Sequence, residues 1–242
     1  MCLSMKQRKI YKELSKTADR YVMGGRRMCG RFRLDSEIDE IAAKYRVDYK
    51  EVDEYNVGDF YPSQGAAIIL GSGRRVLTLA KWGFTNNYNR SIVINARSET
   101  ITERPMFKDS FYSARCIIPA NLFYEWKDEG KSKKVKYKIG LKGRDLISLG
   151  GIYKLSIDEN QKKHISFVII TTEAEGDIKD VHHRMPLIID DEKLGLWLDN
   201  NTPLQLVKEL LKPSDSLKFK IEKCEDKLSQ PNGEHYEQMS MF

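Results

Sequence analysis

Cysteine is scarce in this 242-residue chain. Cys2, Cys29, Cys116 and Cys224 form no CxxC pair, which speaks against a zinc ribbon. The four histidines form neither HxH nor HExxH, so no metal is expected, and no other cofactor. Long apolar runs are missing too. None approaches the ~20 residues needed to span a bilayer, so no membrane partner is expected. The first 28 residues lack the apolar stretch of a secretory signal. A reducing cytoplasm with free thiols is therefore the expected setting. No internal repeat is present.

Most of the chain also lacks net charge. Residues 1–28 hold 8 Lys/Arg and 2 Asp/Glu, whereas the remainder holds 33 of each sign. The formal charge of +6 thus belongs to the N-terminal extension. Any nucleic-acid binding by the body must come from local clusters of Arg and Lys.

The hydrophobic fraction of 40% and the 12 tyrosines suit a globular chain. Its length allows a sizeable core without disulfides. Strands are expected at Arg31–Leu34, Ala66–Leu70, Arg74–Ala80, Ser91–Asn95, Cys116–Ile118, Leu122–Lys127, Lys134–Ile139, Leu146–Leu155, Ile165–Thr171, Leu187–Ile189 and Lys218–Ile221. Gly71-Ser72-Gly73 reads as a hairpin turn. Ser36 is placed to cap a helix with apolar face Ile38, Ile41, Ala42 and Tyr45. Thr202-Pro203, with Gln205, opens another. Tyr55–Gln64 reads as a loop and Ala96–Ser113 as a polar, winding connection. So many strands with so few helices argue against an alternating parallel sheet. The expected fold is α+β, a single domain of predominantly antiparallel strands forming a barrel-like mixed sheet with a few flanking helices. The expected division is a basic extension at 1–28, a folded body at 29–228 and a loose tail at 229–242.

Four clusters carry chemistry. Cys29 follows Met28, and methionine removal would leave it with a free α-amine beside its thiol; otherwise it is a buried small hydrophobe. Gly24-Gly25-Arg26-Arg27 precedes Met28, as a translated purine-rich ribosome-binding tract would, so a start at Met28 is one expectation. In an extended Asn95-Ala96-Arg97-Ser98-Glu99, alternate residues project to one side, and an amide beside a guanidinium can hold a phosphate. The alternative there is a turn Asn with a surface ion pair. Glu125 lies in Phe123-Tyr124-Glu125-Trp126, where apolar neighbours would raise its pKa, unless it faces outward. His182-His183-Arg184-Met185-Pro186 brings two proton-transfer groups into a loop.

Taken in order, Cys29-Gly-Arg31-Phe, Lys81-Trp82-Gly-Phe84, Asn95-Ala-Arg97-Ser-Glu99-Thr, Pro119 through Glu125-Trp126, Gly150-Gly-Ile-Tyr153, Thr171-Thr-Glu-Ala174 and His182-x-Arg184-Met-Pro186 resemble one family. It is the SOS response-associated peptidase (SRAP) family of abasic-site processing proteins. The resemblance runs from Met28 to about Ile221. It implies a protein of the SOS response to DNA damage that binds single-stranded DNA and joins an N-terminal Cys29 covalently to an abasic site. By matching position, Asn95, Glu125 and His182 are the other catalytic residues. Arg31 and Arg97 hold the DNA backbone, Trp82 stacks beside the lesion, and Arg104 is a looser DNA contact. The implied partner is single-stranded DNA containing abasic sites. A cytoplasmic monomer, on the nucleoid when DNA-bound, is the expected state. Two alternatives remain: a cysteine peptidase using Cys29, His182 and Glu125 that cleaves itself before Cys29, and a non-catalytic single-strand binder.

Overall fold

The computed structural model describes residues 29–224, apart from 53–54, 72, 87–90, 131–132, 158–160, 162 and 215–216. The basic extension, the C-terminal tail and Ser72 of the Gly71-Ser72-Gly73 turn lie outside the described residues.

The chain opens with β1 (Phe32–Leu34), α1 (Ile38–Tyr45), β2 (Tyr49–Lys50), β3 (Gly58–Phe60), β4 (Gly65–Leu70) and β5 (Val76–Trp82). Short β6 (Phe84–Thr85), β7 (Ile92–Val93) and β8 (Asn95–Arg97) lead to α2 (Pro105–Ser113). Then come β9 (Arg115–Ala120), β10 (Leu122–Asp128), β11 (Lys134–Leu141), β12 (Ile147–Ile157) and β13 (Lys163–Glu173). A 3-10 turn at Gly176–Asp180 precedes β14 (Arg184–Pro186). The last elements are α3 (Leu194–Leu198), α4 (Leu204–Glu209) and β15 (Phe219–Lys223).

Two sheets organise these elements. In one, β13, β12, β9, β4 and β5 pair in sequence, and β5 returns to β13 through the parallel pairs Lys81↔Ser166 and Trp82↔Phe167. That closing pair makes a five-stranded barrel, with β2, β8 and β14 attached outside the ring. Every residue of β9 is buried, because the strand has core on both sides. Side chains are tightly enclosed there. A Cβ on Gly151 would collide with the Ile118 side chain and sit 2.8 Å from the Val168 carbonyl oxygen. The other sheet runs β15-β11-β10-β1-β3. It turns Phe32, Phe60, Phe123 and Ile139 into the core. The fold is thus α+β, mostly antiparallel and barrel-like, as expected. Among the described residues no helix is long and apolar enough to cross a membrane.

Several local expectations fail for physical reasons. Ser36 does not cap α1; Glu37 does, through a reciprocal capping box with Glu40. The helix ends at Arg46, whose φ of 50° is left-handed. The expected loop at Tyr55–Gln64 contains β3, an edge strand pairing with β1. The expected winding connection contains β8 and α2, the latter opened by Pro105 and not by a Ser or Thr cap. The Ser91–Asn95 strand divides at Ile94, whose carbonyl accepts the Trp82 indole N–H at 3.0 Å. The strand expected at Leu187–Ile189 lies earlier, at Arg184–Pro186, while Ile188 makes only a bridge to Leu149. Pro203, not Thr202, is the residue that flanks α4.

Candidate active site

The register of β1 against β10 brings the first chemical groups together. Phe32 pairs with Phe123, and the Tyr124 N–H donates to the Arg31 carbonyl at 2.9 Å. Continuing that ladder backward carries Cys29 to the Glu125 carboxylate. There the Cys29 backbone N–H donates to Glu125 Oε1 at 2.6 Å. Both residues are enclosed, Cys29 fully and Glu125 at 2% exposure. Glu125 therefore faces inward, which settles the open question of its orientation. Burial pushes its pKa up to about 8, against the opposing pull of the N–H groups of Cys29 and Trp126. Burial also pushes the Cys29 thiol well above its ordinary range, and the charge of Glu125 adds to that rise. Cys29 has a φ of 40°, the left-handed region that side chains with a Cβ rarely occupy.

A second group forms where β8 and β14 meet β13. Asn95 pairs with Ile169 and Arg97 with Thr171 on one edge of β13. On the other edge Arg184 pairs with Glu173. Asn95 is half-buried there, and Arg97 is exposed. His182 Nδ1 lies 3.1 Å from the Arg184 backbone nitrogen and 3.2 Å from its carbonyl oxygen, so the Arg184 backbone fixes that edge of the ring in either tautomer. Burial lowers the His182 pKa, outweighing the hydrogen bond to the Arg184 backbone that raises it, and the charges of Arg184 and Lys134 lower it further. The Arg184 guanidinium is gripped by Glu99 at 2.5 and 2.9 Å and by the Thr171 carbonyl at 2.7 Å. A cleft of about 450 Å³ beside this group is lined by Arg97, Glu173, Lys179, His183 and Arg184.

Trp82 requires a correction. It is fully buried, with its ring 5.2 Å from Phe32 and 6.2 Å from Phe167. A ring with no exposed face cannot stack on a DNA base. Its position is structural: it packs on the strand that follows Cys29, and its indole N–H bonds the carbonyl just before Asn95. Gly83 lets the chain turn away directly afterwards, with φ of 119° and no room for a Cβ against Ile92.

Arg31 is more constrained than its expected DNA contact suggests. It pairs with Asp59 at 2.5 Å and lies 4.8 Å from the ring centres of both Tyr61 and Tyr124. Arg104 is exposed at the N-terminal flank of α2. Asp59 and Tyr61 were missed as site partners from sequence, because a presumed loop gave no signal. Glu99 was already in phase with Asn95 and Arg97, and the structure adds Arg184 as its partner. Among the described residues no group of His, Cys, Asp and Glu is arranged to hold a metal ion.

Comparisons with known proteins bear on the family and the fold. A family model described as "SOS response associated peptidase (SRAP)" matches residues 28–231. A Bacillus subtilis protein named "Abasic site processing protein YoqW" is 36% identical over 199 residues, covering 78% of this chain and 88% of the relative. The Escherichia coli "Abasic site processing protein YedK" is 26% identical over 178 residues, covering 71% and 79%. A crystal structure of a protein from Bacteroides thetaiotaomicron superposes with a TM-score of 0.73 at 26% identity, covering 82% and 93%.

Proposed function

The chain belongs to the SOS response-associated peptidase family, and on that premise we propose that it traps abasic sites in single-stranded DNA as a covalent adduct of Cys29. The observation that carries this reading is the 2.6 Å contact between the Cys29 nitrogen and buried Glu125. In the working form residues 1–28 are gone and that nitrogen is an α-amine, with a reference pKa near ~8. Glu125, buried against that nitrogen, is then placed to exchange protons with it.

The chemistry balances without a cofactor. The open-chain abasic sugar presents an aldehyde. The Cys29 amine adds to it, and the carbinolamine loses water to give an imine. The thiol adds to the imine carbon and its proton ends on nitrogen, closing a five-membered thiazolidine. Ring closure is intramolecular, so it carries no second encounter cost. A simple imine would permit β-elimination and strand cleavage, and the thioether carbon removes that option. Glu125 moves protons at the amine and the leaving water. His182, held at Nδ1 by the Arg184 backbone, serves sugar-ring opening. Asn95 orients the aldehyde or amine. Arg97 meets a phosphate from the cleft it shares with Lys179 and His183, and Arg104 meets one from the flank of α2. Arg31 braces the Cys29 strand and serves the backbone there.

The test compares the full chain with one whose first residue is Cys29, each mixed with single-stranded DNA carrying an abasic site. The shortened chain should give a heat-stable adduct on a denaturing gel, and Cys29→Ala should reduce it at least about 100-fold. Equal cross-linking by a full chain that mass spectrometry shows to be uncut would sink the mechanism.

Self-cleavage before Cys29 is a second reading, favoured by the same contact and by the left-handed Cys29 backbone. Thiol attack on the preceding carbonyl would transfer the acyl group from nitrogen to sulfur while Glu125 protonates the leaving nitrogen. Water would then hydrolyse the thioester. Intact mass after incubation, with Glu125→Gln as control, decides it: a chain that never shortens by itself removes this reading.

A further inference from the structure

Strand β1 begins at Phe32, so Cys29, Gly30 and Arg31 precede it. Backbone pairing reaches back to the Arg31 carbonyl, which accepts from the Tyr124 N–H at 2.9 Å, and the Cys29 N–H then meets Glu125. A chain terminus frays unless something ties it down. A reacting group displaced by about 1 Å can lose about 100-fold in rate. A nucleophile at the first residue therefore needs an anchor close behind it.

The Arg31 side chain fits that need. Alternation along β1 sends Phe32 inward, where its ring stacks on Phe60 at 5.1 Å, and sends Arg31 and Arg33 to the other side. There Asp59 takes the Arg31 guanidinium at 2.5 Å and faces that of Arg33 at 3.8 Å. The rings of Tyr61 and Tyr124 each stand 4.8 Å from the Arg31 Cζ. Tyr124 borders the carboxylate as well: burial first, and then Asp59, pushes its pKa up to about 12. The side chains of Arg31 and Asp59 are each 17% exposed, so the pair is largely shielded from the solvent that weakens surface ion pairs.

Asp59 is itself held in place. On β3 it lies opposite Arg33 of β1. Just beyond it the Tyr61 N–H donates to Gln64 Oε1 at 2.9 Å. The Ser63 N–H donates to the Trp82 carbonyl and the Trp82 N–H to the Gln64 carbonyl, both at 2.8 Å. The carboxylate is thus fixed, through a short turn, to core strand β5. Its charge also offsets a cation that a phosphate would otherwise meet. An acid placed against affinity for DNA calls for another use.

We infer that Asp59 is a positioning residue for the reactive terminus: acting through Arg31, it keeps the Cys29 nitrogen against Glu125 and the thiol enclosed, while touching no reacting atom itself. The inference rests on the proposed function for the reaction it serves. The hold on Cys29 can be measured without DNA.

Asp59→Ala separates position from binding and from fold. In single-turnover reactions with saturating abasic single strand, the chain that begins at Cys29 should form adduct about 10- to 100-fold more slowly when it carries Asp59→Ala. Its affinity for an intact thymidine strand should stay within about threefold of wild type, because no phosphate contact is removed. Asp59→Asn keeps an oxygen for the guanidinium and should recover most of the rate. Iodoacetamide labelling of the full chain, read at each cysteine by peptide mass spectrometry, supplies the DNA-free measure. Cys29 and Cys116 are both fully buried. Asp59→Ala should speed labelling of Cys29 about tenfold or more and leave Cys116 as in wild type. Arg31→Lys, which keeps the charge but loses the fork, should do the same. Cys29 labelled at the wild-type rate in both variants overturns the anchor. So do Cys29 and Cys116 opening together, which marks a pair that only stabilises the fold. Adduct formation separates the two ideas. Wild type that cross-links no faster than Asp59→Ala strikes only the anchor. Wild type that never cross-links, while Asp59→Ala exposes Cys29, strikes only the proposed function.

Discussion

Around Glu99 a carboxylate meets a guanidinium fork, whereas around Glu125 a carboxylate is enclosed with backbone N–H groups as its donors. Burial acts to raise both pKa values. At Glu99 the hydrogen bonds and charge of Arg184 outweigh it, and the pKa falls below the usual carboxylate range. At Glu125 nothing cationic answers burial, and the pKa climbs to about 8. The same side chain is thus a fixed anion in one region and an exchangeable proton in the other. Glu99 holds Arg184, whose backbone orients His182; Glu125 faces the nucleophile itself. Structural pairing and chemical readiness require opposite surroundings.

The comparison can be broken at three levels. The largest effect is expected at Glu125. Glu125→Gln should slow adduct formation about 100-fold or more, since a positioned proton carrier contributes 10²–10⁴. Its melting temperature at pH 8 should hold. Single-turnover gels set beside a thermal melt decide this, and a rate within threefold of wild type would remove the proton-carrier role. Next is Glu99→Ala. It strips the acceptor from a guanidinium whose side chain is only 8% exposed. Because the Glu99 side chain is 44% exposed and the Thr171 carbonyl still accepts from Arg184, the expected cost is about 2 kcal/mol, or about 4–8 °C in melting temperature for a chain of this size. A wild-type melt would show that the pair is idle.

The smallest effect is a slope. The raised pKa of Glu125 means the native state keeps a proton that the unfolded chain gives up. That contribution is complete below the unfolded value of 4.5 and is lost as pH rises through about 8. Stability should therefore fall across this window, by at most about 1.4 kcal/mol per pH unit. Glu99, depressed, works the other way: its contribution is present above 4.5 and is lost as pH falls through its native value. Denaturant titrations from pH 5 to 9 should show the falling limb in wild type and a flatter one in Glu125→Gln. Identical limbs would place the Glu125 proton elsewhere.

Long strands were legible in the sequence because alternation and β-branched runs announce them, as in β12 and β13. Short elements were not. Three-residue β3 begins at Gly58 with φ of 111°, and α2 lacks a polar cap, so neither carries a local signal. The closing pair between β5 and β13 joins residues about 85 positions apart, and no local pattern announces such a pair. In the site, the motif residues were readable one by one, but the contact between Cys29 and Glu125 was not. Trp82 was misassigned although β5 held the clue. Exposed Lys81 alternates with buried Ala80 and Trp82, which places the indole on the core side.

Strand β13 has neighbours along both edges from Ser166 to Thr171: β12 and then β14 on one side, β5 and then β8 on the other. One added residue there would send every later side chain to the opposite surface. It would also carry the supports of Asn95 and His182 out of step together. The strand works as a ruler of fixed length. Among variants of this chain, gains and losses of residues belong in the turns, and β13 is the stretch where length is frozen.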